Sequence, residues 1–460
     1  SPATFTMNST NHPGDGICDA QECTLFEAIE AADVHPNVDG EPDRIEFNIA
    51  GPGPHTVLVD GNQGGLVVSE SVVIDALTQP GSSCGDGAQP RNLVEVQATS
   101  AIPGANGLTL FASGSTIRGL AFGGFGQLGL LVHGDSNKIE CNNFGTNGAG
   151  LTARPNALNG VFIASGAEHN IVGGSSPEQR NIISGSPNFG TAGISIQGNQ
   201  YDTPGNNQII GNYIGSDATG MALPANANGE GVVGNFSGIV LLGARGNSVE
   251  GNVIIGSTRA GVVLFHSGPL NSPQAIPPFA HENLFQSNLI GVAANGTDAM
   301  PNKYGIQLGV AHDNIFIGNT IAYNDAGADF GAGIIANSGL SRNTFTQNSI
   351  YANIGALHAL GILFQTERWS PSLNIGLSVA SASVQAVPGD SIVFEIFTNE
   401  VCDPSGLGEG QTYVQTITST ADANGMATAG FTPVLGLFYT VTATKADGST
   451  SAFSACKQAA

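Results

Sequence analysis

The stretch Asn283-Leu284-Phe285-Gln286-Ser287-Asn288-Leu289-Ile290 decides the fold. Two asparagines bracket a short run in which apolar residues alternate, and the same frame recurs at Asn137/Asn142, Asn207/Asn212, Asn247/Asn252, Asn314/Asn319 and Asn343/Asn348. Asn170/Asn181 is that pair opened by an insertion. A second run of the form Gly-apolar-x-apolar precedes most copies, as in Gly129-Leu130-Leu131-Val132, Gly160-Val161-Phe162-Ile163 and Gly238-Ile239-Val240-Leu241. Successive copies lie roughly 30 to 40 residues apart, the range of solenoids and propellers.

Each copy offers two or three strands too short to bury a face alone. Stacked at about 4.8 Å per coil, they pair strand on strand and enclose one continuous apolar interior. Asparagine suits the corners, because its amide reaches the neighbouring coil and its backbone tolerates the left-handed conformation of a sharp turn. The pattern predicts an all-β fold, a right-handed single-stranded parallel β-helix. A propeller would need four antiparallel strands per unit and a density of hairpin signals that this chain lacks.

Composition narrows the partners. Thirteen lysines and arginines against 36 acids leave a formal charge of -23. A cationic surface supplies most of the affinity for nucleic acid and for anionic membranes, so neither is expected. No apolar run approaches the ~18 residues of a membrane span, and an integral membrane protein is not expected. Ser1-Pro2-Ala3 reads as the start of a mature chain whose secretion signal has gone. Six cysteines without metal-ligand spacing read as disulfides, so a secreted, extracellular or cell-surface location is expected.

Residues 1–43 read as an N-terminal cap. Cys18 and Cys23 are close enough to pair, and Leu25, Ala28, Ile29 and Ala32 have helical spacing behind the capping-box residues Thr24 and Glu27. A short helix here would close the strand edge of the first coil. The run Cys23-Thr24-Leu25-Phe26-Glu27-Ala28 resembles the Cys-Ser-Leu-Arg-Glu-Ala domain that opens many secreted bacterial β-helix proteins, with Thr24 in place of serine and Phe26 in place of arginine. Gly211-Asn212-Tyr213-Ile214-Gly215-Ser216-Asp217-Ala218-Thr219-Gly220 and Arg180-Asn181-Ile182-Ile183-Ser184-Gly185 are similar to repeats of that group. The resemblance implies architecture and export; the group shares no single activity.

Residues 44–372 read as the β-helix. Cys84 lies in a loop of its first coils, and Cys141 is the nearby cysteine left to pair with it. Three coils carry a longer insertion of one shape, from Phe144 to Asn156, Ile214 to Ala225 and Ile290 to Asn302. Loops of equal length on alternate coils would project from one side, as a binding face or as plain corner decoration. Residues 373–460 switch to longer strands and the turn signals Asp422-Ala423-Asn424-Gly425 and Asp447-Gly448, which predicts an immunoglobulin-like antiparallel sandwich tied by Cys402 and Cys456. Asp403 and Glu409 in its loops are weak calcium candidates, against the commoner reading of solvated turn acids; no other cofactor is implied.

The asparagine frame also sets a row of chemistry. Residues just before each first asparagine should stack, which aligns Glu168 and His169, Arg245, His281 and Glu282, His312 and Asp313, and Arg342. Glu282 and Asp313 one coil apart would lie at ~5 Å, the separation of a retaining glycosidase pair, and the repulsion should raise one pKa. His281 and His312 join them as catalytic candidates, with Arg245, Arg342, Glu168, His169 and His266 as binding candidates. A competing reading is that polar residues collect at a solvent-exposed turn, and for His266 that it is bonded within its own turn. Paired aspartates of the polygalacturonase kind are absent, as are nucleophile-elbow, P-loop and zinc signatures. Two function classes stay open: an extracellular protein that binds or cleaves a polysaccharide or cell-surface glycan along the solenoid, as a glycoside hydrolase or lyase; and a non-enzymatic adhesive or fibre-forming surface protein that self-associates.

Overall fold

The computed structural model describes residues 2–63, 65–84, 91–99, 104–199, 203–229, 231–267, 279–325, 331–336, 342–354, 359–364, 369–404, 406 and 408–460. The chain packs as two units, one built on Ser1–Thr258 and the other on Arg259–His266 with Phe279–Ala460.

In the first unit the chain visits three parallel sheets in rotation. One runs Thr4–Met7, Asp43–Phe47, Val72–Asp75, Thr116–Arg118, Lys138–Glu140, Ile171–Gly173, Gln208–Ile210 and Ser248–Glu250; a second runs from Val67–Val68 to Ser237–Leu242; the third runs from His55–Val59 to Val253–Ile254. All pairings are in register and parallel, as Leu108, Leu130, Val161, Ile194 and Ile239 show on the second sheet. The alternate positions of every coil point inward, so Ile117, Ile139, Val172, Ile209 and Val249 form one fully buried aliphatic column. The helix Leu25–Val34 starts at the expected capping box, with Thr24 and Glu27 each holding the other's backbone amide, and buries Leu25, Ala28, Ile29 and Ala32. It packs against the strands Thr4–Met7, Asp43–Phe47 and Val67–Val68.

The second unit continues the pattern with Leu284–Gln286, Ile315–Ile317 and Thr344–Thr346 on one sheet, Leu289–Ile290, Thr320–Ala322 and Ser349–Tyr351 on another, and Ala260–Phe265, Tyr304–Leu308, Gly331–Ala336 and Ala359–Phe364 on a third. Phe285, Phe316 and Phe345 stack through its interior at 4.7 and 4.8 Å. From Ser372 onward the strands are antiparallel and form two sheets, Ser372–Ile375 with Ala380–Gln385 and Met426–Phe431, and Thr412–Thr420 with Ser391–Asn399, Phe438–Lys445 and Lys457–Gln458. Both sheets contribute to one core of Leu373, Ala382, Ile392, Phe394, Ile396, Phe431 and Val441. The disulfides Cys18–Cys23, Cys84–Cys141 and Cys402–Cys456 are those expected.

Asparagine ladders hold the coils. In the first unit the side-chain oxygen of Asn170 accepts both the backbone N–H (2.9 Å) and the amide Nδ2 (3.0 Å) of Asn137, and Asn207 does the same for Asn170. Nδ2 of Asn207 then donates to the Ala167 carbonyl one coil back, so each amide is satisfied on both sides while fully buried. Parallel rows run Asn142, Asn181, Asn212, Asn252 in the first unit and Asn283, Asn314, Asn343 in the second. One expectation is corrected. The left-handed conformation belongs to the residue before most ladder asparagines: Ser136, Cys141, His169, Glu282, Ser287, Asp313, Arg342 and Gln347 all have φ between 54 and 61°, whereas Arg180 before Asn181 is extended with φ -63°. The corner turns one residue early because the asparagine's own N–H must point along the axis to the next amide oxygen.

A row of the second unit ends on a carboxylate. Asn302, Asn324 and Asn353 bond in series, and Oε1 of Glu409 accepts the N–H (3.0 Å) and Nδ2 (3.1 Å) of Asn353 as a further asparagine would. Oε2 takes the Ala352 N–H at 2.6 Å. Glu395 treats the neighbouring corner alike, accepting from Gln347 N–H at 2.9 Å and from the Thr346 hydroxyl.

Candidate functional site

The row of charged residues is the row of left-handed corners and their predecessors, so its geometry follows from the ladder. In the second unit Ala280–His281 and Ala311–His312 make a two-strand parallel pair in which His281 faces His312. Their rings stack at 5.4 Å and 19°, and Phe279 meets His312 edge-on at 5.4 Å. Nδ1 of His312 lies 2.8 Å from Oδ2 of Asp313. Arg342, one coil further, donates Nε to Oδ1 and Nη2 to Oδ2, both at 2.6 Å, a bidentate fork. Its backbone N–H is held by Ser449 at 3.0 Å, which brings the Asp447-Gly448-Ser449 turn beside the row. Glu282 stays largely in solvent, 3.5 Å from His281 Nδ1.

The electrostatics differ from the expectation of a carboxylate pair sharing a proton. The Arg342 hydrogen bonds, helped by His312 and opposed by partial burial, hold Asp313 down at about 2. Asp313 therefore stays anionic and is not the proton donor of a retaining pair. Glu282 and Asp313 do stand on adjacent coils, with the Glu282 N–H bonding the Asp313 carbonyl at 3.1 Å, but the Asp313 carboxylate itself is taken by the Arg342 guanidinium on its other side. What the arrangement provides instead is an imidazole oriented through Nδ1 by a locked carboxylate, leaving Nε2 as the basic nitrogen.

The other candidates stand elsewhere. In the first unit Arg245 approaches Glu168 at 3.6 Å and His169 lies 4.0 Å from the same carboxyl group, with Glu168 N–H donating to Asp135 Oδ1. All of these are at least one-third exposed in their side chains, a surface cluster with no enclosed chemistry. His266 follows Ala260–Phe265 outside the row, and its buried Nδ1 has no hydrogen-bond partner among the described residues. Of the calcium candidates, Glu409 spends both oxygens on Asn353 and Ala352, and burial pushes its carboxyl up to about 7 against those bonds. Among the described residues the acids that converge within metal-ligand distance are Asp15, Glu22 and Glu27, and Glu27 already serves Thr24 and Gly16.

One charge network escaped the sequence reading. On the first unit's outer sheet face Asp75, Arg118 and Glu140 sit side by side in register. Arg118 donates Nε and Nη2 to Asp75 at 2.8 and 2.6 Å and reaches Glu140 at 3.6 Å. The signal was the shared offset, since Arg118 and Glu140 each stand two residues before the equivalent corner positions Leu120 and Asn142, which bond to each other.

No family model and no curated protein matches this chain. Solved structures similar to it include an alginate lyase from Paenibacillus, 15% identical over 78% of this chain and 99% of that one with a TM-score of 0.43. A pectate lyase is 15% identical over 80% and 73%, TM-score 0.34. The A-module of the Azotobacter vinelandii mannuronan C-5 epimerase is 14% identical over 74% and 94%, TM-score 0.38.

Proposed function

We propose that this is an exported polysaccharide-active protein whose chemistry lies at the His281, His312, Asp313 and Arg342 row. The observation that carries the reading is the bidentate Arg342–Asp313 pair locked onto a half-buried, stacked imidazole. A long row of parallel coils offers a linear polymer many equivalent contacts. In this reading His312 moves the proton at Nε2, Asp313 fixes its tautomer, His281 supports its ring and Glu282 supplies the second, solvent-facing carboxylate. Export is supported by three disulfides, and no helix among the described residues is long and apolar enough to cross a membrane. The division into an N-terminal cap of the Cys-Ser-Leu-Arg-Glu-Ala type (1–43), β-helix (44–372) and immunoglobulin-like sandwich (373–460) belongs to the same proposal.

The test is release of reducing ends and unsaturated products from neutral and uronic polysaccharides by wild type, His312→Gln, Asp313→Asn and Glu282→Gln. Release that falls at least a hundredfold in His312→Gln supports the reading, in line with the ~10²–10⁴ of general acid–base catalysis. Release unchanged in that variant refutes it. A non-enzymatic surface role is the second reading, and one observation favours it: the row coincides with the corner positions, where Arg342 and Asp313 also tie one coil to the next. It predicts no release from any polymer and a loss of stability in Arg342→Ala.

A further inference from the structure

One corner of the first unit carries exposed apolar side chains. Phe189 is 88% exposed, and its ring rests on Phe236 of the following coil at 5.1 Å. Leu158, on the coil before, is 40% exposed. The three stand at one corner of consecutive coils, because Ser186 N–H bonds Asn235 Oδ1, Asn156 N–H bonds the Gly185 carbonyl, and Phe236 N–H bonds the Ser186 carbonyl. The stripe therefore runs along the coil axis.

Its backbone is fixed before any ligand arrives. The single Thr191 O–H is shared between the Ser186 and Asn188 carbonyls, 2.8 and 2.7 Å from Oγ1, and Asn188 Nδ2 donates to the Ala157 carbonyl at 2.8 Å. A large ring held in water on a pinned turn is a preorganised contact rather than a frayed loop. The insertions Phe144–Asn156 and Ile214–Ala225 are joined by the bonds Ala153 N–H to Ala225 O and Ala225 N–H to Leu151 O, and Leu151 is 40% exposed.

The chemistry selects the occupant. Residues 184–191 contain no charged side chain, and the amides of Asn188 and Asn159 at this corner each keep polar atoms beyond the Asn188 Nδ2–Ala157 and Ala192 N–H–Asn159 Oδ1 bonds. An aromatic face with flanking amides matches a pyranose ring, which presents axial C–H groups to the ring and hydroxyls to the amides. A formal charge of -23 opposes a uronic acid polymer. We propose that Leu158, Phe189 and Phe236 form a binding subsite for a neutral polysaccharide, with Phe189 as the stacking platform. This rests on the polysaccharide reading above but not on its catalytic row.

The experiment is affinity electrophoresis of the full chain in gels containing a neutral glucan, xylan, mannan or galactan, or a uronic polymer, at low and high salt. Wild type should be retarded by at least one neutral polymer, equally at both salt concentrations. Phe189→Ala should lose about tenfold in affinity and Phe189→Trp should retain it. Circular dichroism of Phe189→Ala should be unchanged, because the side chain is exposed. Equal retardation of wild type and Phe189→Ala, retardation by the uronic polymer alone, or no retardation at all overturns the proposal. So does Phe189-dependent dimerisation in sedimentation without any retardation. Retardation through Phe189 with no product release would leave this subsite standing while the catalytic row fails; release lost in His312→Gln with Phe189→Ala unaffected would do the reverse.

Discussion

Glu409 shows how one side chain's ionisation is set by the ladder it ends. Its burial outweighs the three donors that favour its charge, so the folded carboxyl titrates at about 7, above its usual 4.5. A raised acid is favoured when protonated, so its contribution to stability is complete below about pH 4.5 and is lost as pH rises through 7. We expect the unfolding midpoint to fall between pH 5 and 8 by an amount corresponding to a few kcal/mol at most, with the slope flattened in Glu409→Gln, as read by thermal melts across that range. Asp313 has the opposite sign: its depressed pKa contributes stability present above the ordinary aspartate value and lost only as pH falls through about 2. At the corners, Glu282 has φ 57°, a conformation glycine adopts freely and a β-branched residue does not. Glu282→Gly should therefore unfold at the same denaturant concentration as wild type, and Glu282→Val should cost about 1–2 kcal/mol. The glycine variant removes the carboxylate without disturbing the fold, which makes it the cleaner probe of Glu282 in catalysis.

At the scale of the element, the ladders are where stability concentrates. Asn319 accepts the backbone N–H and Nδ2 of Asn288 and donates to the Phe285 carbonyl and to Asn348, with no exposed surface. Asn319→Ala strands donors and acceptors in a dry interior and should cost about 3–5 kcal/mol by denaturant unfolding, whereas Ile315→Ala, at a 45% exposed strand position, should change it by less than about 0.5 kcal/mol. Much of this element was legible. The pairs beginning at Asn137 and Asn142 announced two ladders, because a five-residue frame repeats wherever two corners flank one short strand. The third row was harder to see: Asn324 and Asn353 keep the five-residue spacing from Asn319 and Asn348, but insertions separate Asn156, Asn235 and Asn302 from their frames. Corner conformation was misassigned for a related reason: the residue that turns varies freely among Ser136, Cys141, His169 and Glu282, so composition gives it no signature.

For the whole molecule, the second unit shows how a solenoid end is closed without another coil. Glu395, Glu409 and the Gly448–Thr450 turn occupy the donors of Gln347, Asn353, Thr344 and Phe345, which would otherwise form an open strand edge. Removing residues 372–460 should leave a chain that elutes as aggregates in size exclusion, while Glu395→Ala with Glu409→Ala in the full chain should lower the melting temperature but keep a monomer. The sequence could not reveal this closure, because the acids sit roughly 50 residues from the corners they serve and carry no repeat signal. A separation of 107 residues likewise hid the Ser449 contact with Arg342, whereas the row His281, His312, Asp313 and Arg342 was legible through its common offset. What its spacing could not convey was the pairing, since a guanidinium two coils from Glu282 decides the charge of Asp313. The direct measurement is product release from the polysaccharide panel by wild type beside His312→Gln and Glu282→Gly, each checked for an unchanged unfolding midpoint. The account predicts release by wild type and at least a hundredfold loss in His312→Gln. Folded protein that releases nothing from any polymer, or a His312→Gln variant as active as wild type, would contradict it.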